Sequence, residues 1–161
     1  MQRSYLENIA IPSITKKRSY NILIVDDDFE SSEMFKTLLE LRGHNITTLE
    51  EGVSCISNCK SKTYDIIFMD YHIKDIDGVQ LTDFIKDIYK SLSIIFAYTG
   101  DASTEAIHEF QTIGMAGALI KPISKNLLDD IMTTLEERGC VDKIIFNKLA
   151  RRSKGSLIMF N

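Results

Sequence analysis

Four short apolar runs in this chain each end in a polar residue with chemistry of its own. Ile22-Leu23-Ile24-Val25 leads into Asp26, Asp27 and Asp28, and Ile66-Ile67-Phe68-Met69 into Asp70. Ile94-Ile95-Phe96-Ala97-Tyr98 leads into Thr99, and Leu119-Ile120 into Lys121. Runs this short, separated by segments of helical period, read as parallel strands buried on both faces. Ligands bind such sheets outside the carboxyl ends of the strands. Several carboxylates, a hydroxyl and an amine are therefore expected along one edge, a set suited to a divalent cation and a phosphoryl group.

The spacing between the runs completes the pattern. Met34, Phe35, Leu38, Leu39 and Leu41 form one broad helical face, with Gly43 as a stop. Asn45 to Leu49 reads as a strand, Val53 to Lys60 as a weak helix and Tyr64 to Asp70 as the next strand. Leu81, Phe84, Ile85 and Ile88 keep helical spacing before the strand Leu92 to Thr99. Ile107, Phe110 and Ile113 mark a fourth helix ended by Gly114 and Gly117, and Ala118 to Ile120 is a short fifth strand. Ser124 caps a last helix with Leu127, Leu128, Ile131 and Leu135 inward and Gly139 as its stop. Five βα units with right-handed crossovers predict an α/β fold: a doubly wound five-stranded parallel sheet, flavodoxin-like, in strand order 2-1-3-4-5.

Charge divides the 161 residues into three. Residues 1–19 carry Arg3, Lys16, Lys17 and Arg18 against Glu7. Residues 141–161 carry Lys143, Lys148, Arg151, Arg152 and Lys154 against Asp142. With a whole-chain charge of −4, residues 20–140 are left strongly acidic, at −11. The reading is a basic N-terminal extension (1–19), one acidic domain (20–140) and a basic C-terminal tail (141–161). An acidic body argues against direct nucleic-acid binding. No apolar stretch approaches the roughly 20 residues of a spanning helix, and the N-terminus lacks the pattern of a secretory leader, so a cytoplasmic protein without a membrane role is expected. Cys55, Cys59 and Cys140 lack the partners for a zinc set and read as reduced thiols.

The predicted order sets the first and third strands side by side, bringing Asp26, Asp27 and Asp70 together. Like charges that close destabilise one another unless a cation intervenes. Mg²⁺ suits oxygen donors, keeps several waters and accepts phosphate oxygens. One carboxylate is then free to act as a nucleophile toward a phosphoryl donor, with the metal and Lys121 neutralising the transferred charge. Thr99 is placed to donate a hydrogen bond, and Gly100 leaves room for the phosphoryl group.

On these residues the chain resembles the receiver domain of two-component response regulators, over roughly residues 20–139. The resemblance rests on Asp26-Asp27 after the first strand, Asp70 followed by Asp77-Gly78, Thr99-Gly100, and Lys121-Pro122, in that order. It implies that Asp70 is the phosphoacceptor, Asp27 a direct Mg²⁺ ligand, Asp26 an acidic partner acting largely through water, and the His72 backbone carbonyl a further ligand. It implies that Thr99 and Lys121 contact the phosphoryl group and that the peptide bond before Pro122 is cis. The implied function is a single-domain response regulator that receives phosphate from a sensor histidine kinase or a phosphotransfer protein. It would signal to a downstream protein target by contact, or act as a relay intermediate or homodimer, without being an enzyme in the ordinary sense.

Two departures from the family pattern stand out. Ile73-Lys74 occupy the place of the usual Met-Pro after the acceptor, and His72 and Asp101 flank the phosphoryl position. Ala118 stands where many receivers carry a switching aromatic, so the usual coupling of threonine to aromatic cannot operate unchanged. A haloacid-dehalogenase-type phosphatase is the enzymatic rival, since Asp26-Asp27-Asp28 resembles its Asp-x-Asp; but its further acidic motif has no counterpart, because Asp129-Asp130 fall inside the last helix. An interaction module that works without phosphorylation is the third reading. Asp28 alone reads as a helix cap. In the tail, Lys143 to Arg152 can wind as a basic amphipathic helix with Ile145, Phe146 and Leu149 inward, docking on the acidic body near the last helix rather than fraying.

Overall fold

Strand formation follows burial. In the computed structural model, which describes residues 18–88 and 94–160, Ile22–Val25 of β1 (Asn21–Val25) and all of β3 (Ile66–Met69) are inaccessible to solvent. They lie at the centre of the sheet, flanked by β2 (Asn45–Leu49), β4 (Ile94–Thr99) and β5 (Gly117–Ile120). The parallel order is β2-β1-β3-β4-β5, as the alternation predicts, with β1 paired to both β2 and β3. Residues 1–17, 89–93 and 161 are not described. Most of the basic N-terminal extension and the expected strand start at Leu92 therefore lie outside the described residues.

Helices cover both faces. α1 (Phe29–Leu41), α5 (Lys125–Arg138) and α6 (Lys143–Arg152) pack on one side through Phe35, Leu39, Leu128, Ile131, Phe146 and Leu149. On the other lie α2 (Gly52–Ser61), α3 (Gly78–Ile88) and α4 (Thr104–Ile113), through Cys55, Leu81, Ile85 and Phe110. Asp28, Ser103 and Ser124 cap α1, α4 and α5 by accepting backbone N–H bonds, and Gly114 and Gly139 end α4 and α5 with positive φ.

The sheet has a sixth strand, which corrects the expectation of five. After α6 the chain turns through Lys154 and Gly155, and β6 (Leu157–Met159) pairs antiparallel with β5. The expected amphipathic helix of the tail is present over Lys143–Arg152, and it is part of the core: Phe146 is fully buried and stacks on Phe96 at 6.1 Å. The approach of β6 explains Gly117, read from sequence only as a helix stop. A Cβ there would lie 2.6 Å from the Ile158 carbonyl oxygen.

Candidate functional site

The carboxyl ends of β1, β3, β4 and β5 open into a basin of about 600 Å³ lined by Asp27, Asp28, Asp70, His72, Thr99, Gly100, Asp101 and Lys121. Each group stands at the end of its strand or within three residues beyond it. Asp26, Asp27 and Asp70 offer carboxylate oxygens that all lie within 4.8 Å of one another. Asp26 and Asp70 are buried, whereas Asp27 is half-buried at the mouth.

Hydrogen bonds fix the two buried acids. The Lys121 ammonium donates to Asp26 Oδ2 at 2.6 Å and to Asp70 Oδ2 at 3.3 Å. The Asp28 N–H donates to Asp26 Oδ1 at 2.9 Å, and the Tyr71 N–H to Asp70 Oδ1 at 2.7 Å. Burial raises the Asp70 carboxyl above its ordinary value and the Asp26 charge raises it further, against the pull of Lys121. Burial would lower the Lys121 ammonium, but contacts with Asp26 and Asp70 outweigh it and hold the amine charged. Three carboxylates face one ammonium, so the cluster carries uncompensated negative charge. Hard oxygen donors with spare lone pairs in an open basin fit a small divalent cation that keeps part of its water.

The remaining candidates fall around this centre. Thr99 is buried, and its Oγ1 accepts from the Asp101 N–H at 3.1 Å. Gly100 has open space where a Cβ would be. His72 exposes its ring, which meets Asp101 Oδ2 at 3.1 Å. The Ser103 backbone N–H and side chain, then His72, hold Asp101 below the usual carboxylate range. The Lys121–Pro122 peptide bond is cis. Asp28 caps α1, its carboxylate accepting from the Ser31 N–H at 3.4 Å. Ala118 is buried between α4 and the sheet with no aromatic in its place. Asp129 belongs to no acidic centre: it pairs with Arg42 and Lys125 on α5.

Three contributors have roles that sequence reasoning did not assign. Gly78 lies behind the acceptor strand, where a Cβ would stand 1.9 Å from the Asp70 carbonyl oxygen, so any side chain would push Asp70 out of place. The Tyr98 ring lies under the Lys121 ammonium at 4.8 Å, on the side of the sheet that holds α1. Asp75 accepts from the Gly52 and Val53 N–H groups and, with the buried Ile73, ties down the loop that lacks the usual proline. Only Gly78 left a sequence signal, in the Asp77-Gly78 pair.

An acidic triad and a lysine at the carboxyl edge of a 2-1-3-4-5 sheet define a receiver-type α/β protein. The comparisons agree: residues 22–133 match the response regulator receiver domain, and the chain belongs to that family. It is similar to the CAI-1 autoinducer sensor kinase/phosphatase CqsS of Vibrio cholerae, 29% identical over 121 residues, covering 73% of this chain and 18% of that protein. The chain thus spans less than a fifth of the length of that relative. A two-component response regulator from Clostridium difficile superposes with a TM-score of 0.69 at 25% identity, covering 76% of this chain and 98% of the other. The receiver domain of a sensor histidine kinase from Pseudomonas aeruginosa, described with a magnesium ion coordinated in its active site cleft, has the same fold, with a TM-score of 0.65 at 24% identity over 72% of this chain and 96% of the other. Among the described residues no helix is long and apolar enough to cross a membrane.

Proposed function

We propose that the protein is a phosphoacceptor switch: Asp70 takes a phosphoryl group from a phosphohistidine on a sensor kinase or phosphotransfer protein, and the altered surface is read by a protein partner. The observation that carries this reading is the convergence of Asp26, Asp27 and Asp70 within 4.8 Å with Lys121 donating to two of them.

An Asp70 carboxylate oxygen attacks phosphorus, the O–P bond forms as the N–P bond breaks, and the donor imidazole leaves. Lys121 meets the charge on the transferred oxygens. Thr99 Oγ1 is placed to donate to one of them, and Gly100 gives them room. Asp26, Asp27, Asp70 and the His72 carbonyl would hold Mg²⁺, which supplies further charge neutralisation when bound. His72 and Asp101 stand where they govern the approach of hydrolytic water. Resemblance to sensor kinases that contain such a domain supports a second role as a relay intermediate, passing the group from Asp70 to another histidine.

A small phosphodonor with Mg²⁺ is expected to add one base-labile phosphoryl group, seen by intact-mass spectrometry. Asp70→Asn abolishes it and EDTA prevents it. Labelling that survives either change would refute the assignment. Transfer profiling against purified kinases and phosphotransfer proteins then distinguishes terminal from relay roles.

A further inference from the structure

The side of the sheet that carries α1, α5 and α6 is polarised in charge. α5 lies in the middle: Arg42, just past α1, reaches Asp129, Thr133 and Glu136 on it, and α6 packs along its other flank. The outward line of α1 is Glu30, Glu33, Met34, Thr37 and Leu41, and that of α6 is Ile144, Asn147, Lys148 and Arg151. Met34, Leu41 and Ile144 are 69%, 79% and 72% exposed and add apolar surface to these two lines. Among the described residues, none of these acids or cations takes part in an ion pair.

Direction decides what such a face fits. α1 and α5 follow parallel strands and run from the carboxyl edge of the sheet to the amino edge. α6 runs the other way, because β6 starts at the carboxyl end of β5, where the Ile120 N–H bonds the Ser156 carbonyl. The acids of α1 and the cations of α6 therefore both lie near the carboxyl edge, and Leu41 and Ile144 both lie near the amino edge.

We propose that this face joins two copies of the chain about a two-fold axis parallel to α5. That rotation sets α1 of one copy against α6 of the other, antiparallel, and repeats the contact by symmetry. Glu30 and Glu33 then face Lys148 and Arg151, and Leu41 faces Ile144. Charges of these signs also suit a helix N-terminus and C-terminus respectively. An anionic membrane or a nucleic acid matches α6 alone and is repelled by α1, whereas a second copy matches both. The two α5 helices meet at the axis with Asp130 and Glu137 outward, a repulsion that the flanking contacts must exceed.

Sedimentation velocity on the full chain tests the proposal. A concentration-dependent dimer is expected near 0.05 M salt and should weaken near 0.5 M, where screening is short-ranged. Glu30→Lys with Glu33→Lys, and separately Lys148→Glu with Arg151→Glu, should each raise the dissociation constant at least about tenfold. An equimolar mixture of the two variants should recover the dimer, because both contacts then pair opposite charges, and Glu137→Gln should tighten it. Far-UV circular dichroism confirms that the variants fold. A wild-type chain that stays monomeric, a dimer indifferent to both reversals, a mixture that fails to reassociate, or capture by anionic vesicles in place of self-association would overturn it. None of these outcomes depends on Asp70 labelling.

Discussion

Buried carboxylates occupy opposite ends of the same sheet, and their surroundings treat charge in opposite ways. At the amino edge, Glu136 is fully matched. Arg42 donates to both of its oxygens, at 2.8 and 2.9 Å, and His44 contacts Oε2 at 2.7 Å. Because His44 Nδ1 accepts the Tyr20 N–H at 3.0 Å, its Nε2 carries the proton and donates to Glu136. Burial pushes the Glu136 carboxyl up, but Arg42 and His44 outweigh burial and leave it below its ordinary range. At the carboxyl edge, burial first and the neighbouring Asp26 charge second raise Asp70 above its ordinary range, and Lys121 alone does not offset them. A carboxylate whose charge is met by its own chain is a structural pin; one whose charge is left unmet is poised to bind something.

The largest test of that contrast removes the matched acid. Glu136→Ala leaves the buried His44 N–H without its acceptor and takes two hydrogen bonds from Arg42, which keeps Asp129 and Thr133, and should cost about 2–3 kcal/mol in urea unfolding. A loss under about 1 kcal/mol would place the pin elsewhere.

Next in size is the effect of supplying the missing charge. Mg²⁺ should stabilise the wild-type fold by about 1.4 kcal/mol at ten times its dissociation constant. Asp27→Ala should remove most of that gain and leave the unfolding of the metal-free protein nearly unchanged. The same increment in both proteins would detach Asp27 from the metal.

A smaller effect appears as pH is varied in EDTA. Glu136, with its value depressed, contributes stability above its ordinary 4.5 that is lost as pH falls through the depressed value. Asp70, with its value raised, contributes stability below its ordinary 3.8 that is lost as pH rises through the raised value. Asp70→Asn should therefore stabilise the fold at neutral pH, by about 1 kcal/mol or less, while Glu136→Gln should flatten the acid limb of the profile. If the two substitutions tilt the profile in the same direction, the contrast between the clusters fails.

These two ends differ also in how far the sequence disclosed them. The acidic edge was legible because each of its members directly follows an apolar strand, so period and position together announce it. The Glu136 cluster was hidden: Tyr20, the Arg42–His44 turn and Glu136 come from three separate places in the chain, and nothing local distinguishes Glu136 from the solvated acids beside it. β6 was missed for another reason. Leu157-Ile158-Met159 is too short for alternation to register, and it gains meaning only where Gly117 lets it reach β5. Phe146 was placed on the inward side of its helix, but no pattern could reveal that it would complete an aromatic stack with Phe96 and Phe68.

The smallest expected effect sharpens the comparison within the acidic edge itself, where three adjacent aspartates have three settings. Asp26 is buried against Lys121, Asp27 stands at the mouth of the basin, and Asp28 turns its carboxylate to the start of α1. The Asp28 cap bond to the Ser31 N–H is long, at 3.4 Å, and exposed. Asp28→Ala should accordingly cost only about 0.5 kcal/mol, the low end for an N-cap. It should change Mg²⁺ affinity about twofold at most, through loss of a distant charge screened by solvent. Calorimetric titration beside urea unfolding separates the two quantities. If Asp28→Ala weakens Mg²⁺ as severely as Asp27→Ala, the triplet is shifted by one residue and Asp28, rather than Asp27, reaches the ion. A stability cost above about 2 kcal/mol would instead mean that the cap anchors α1, and with it the acidic face that this helix presents.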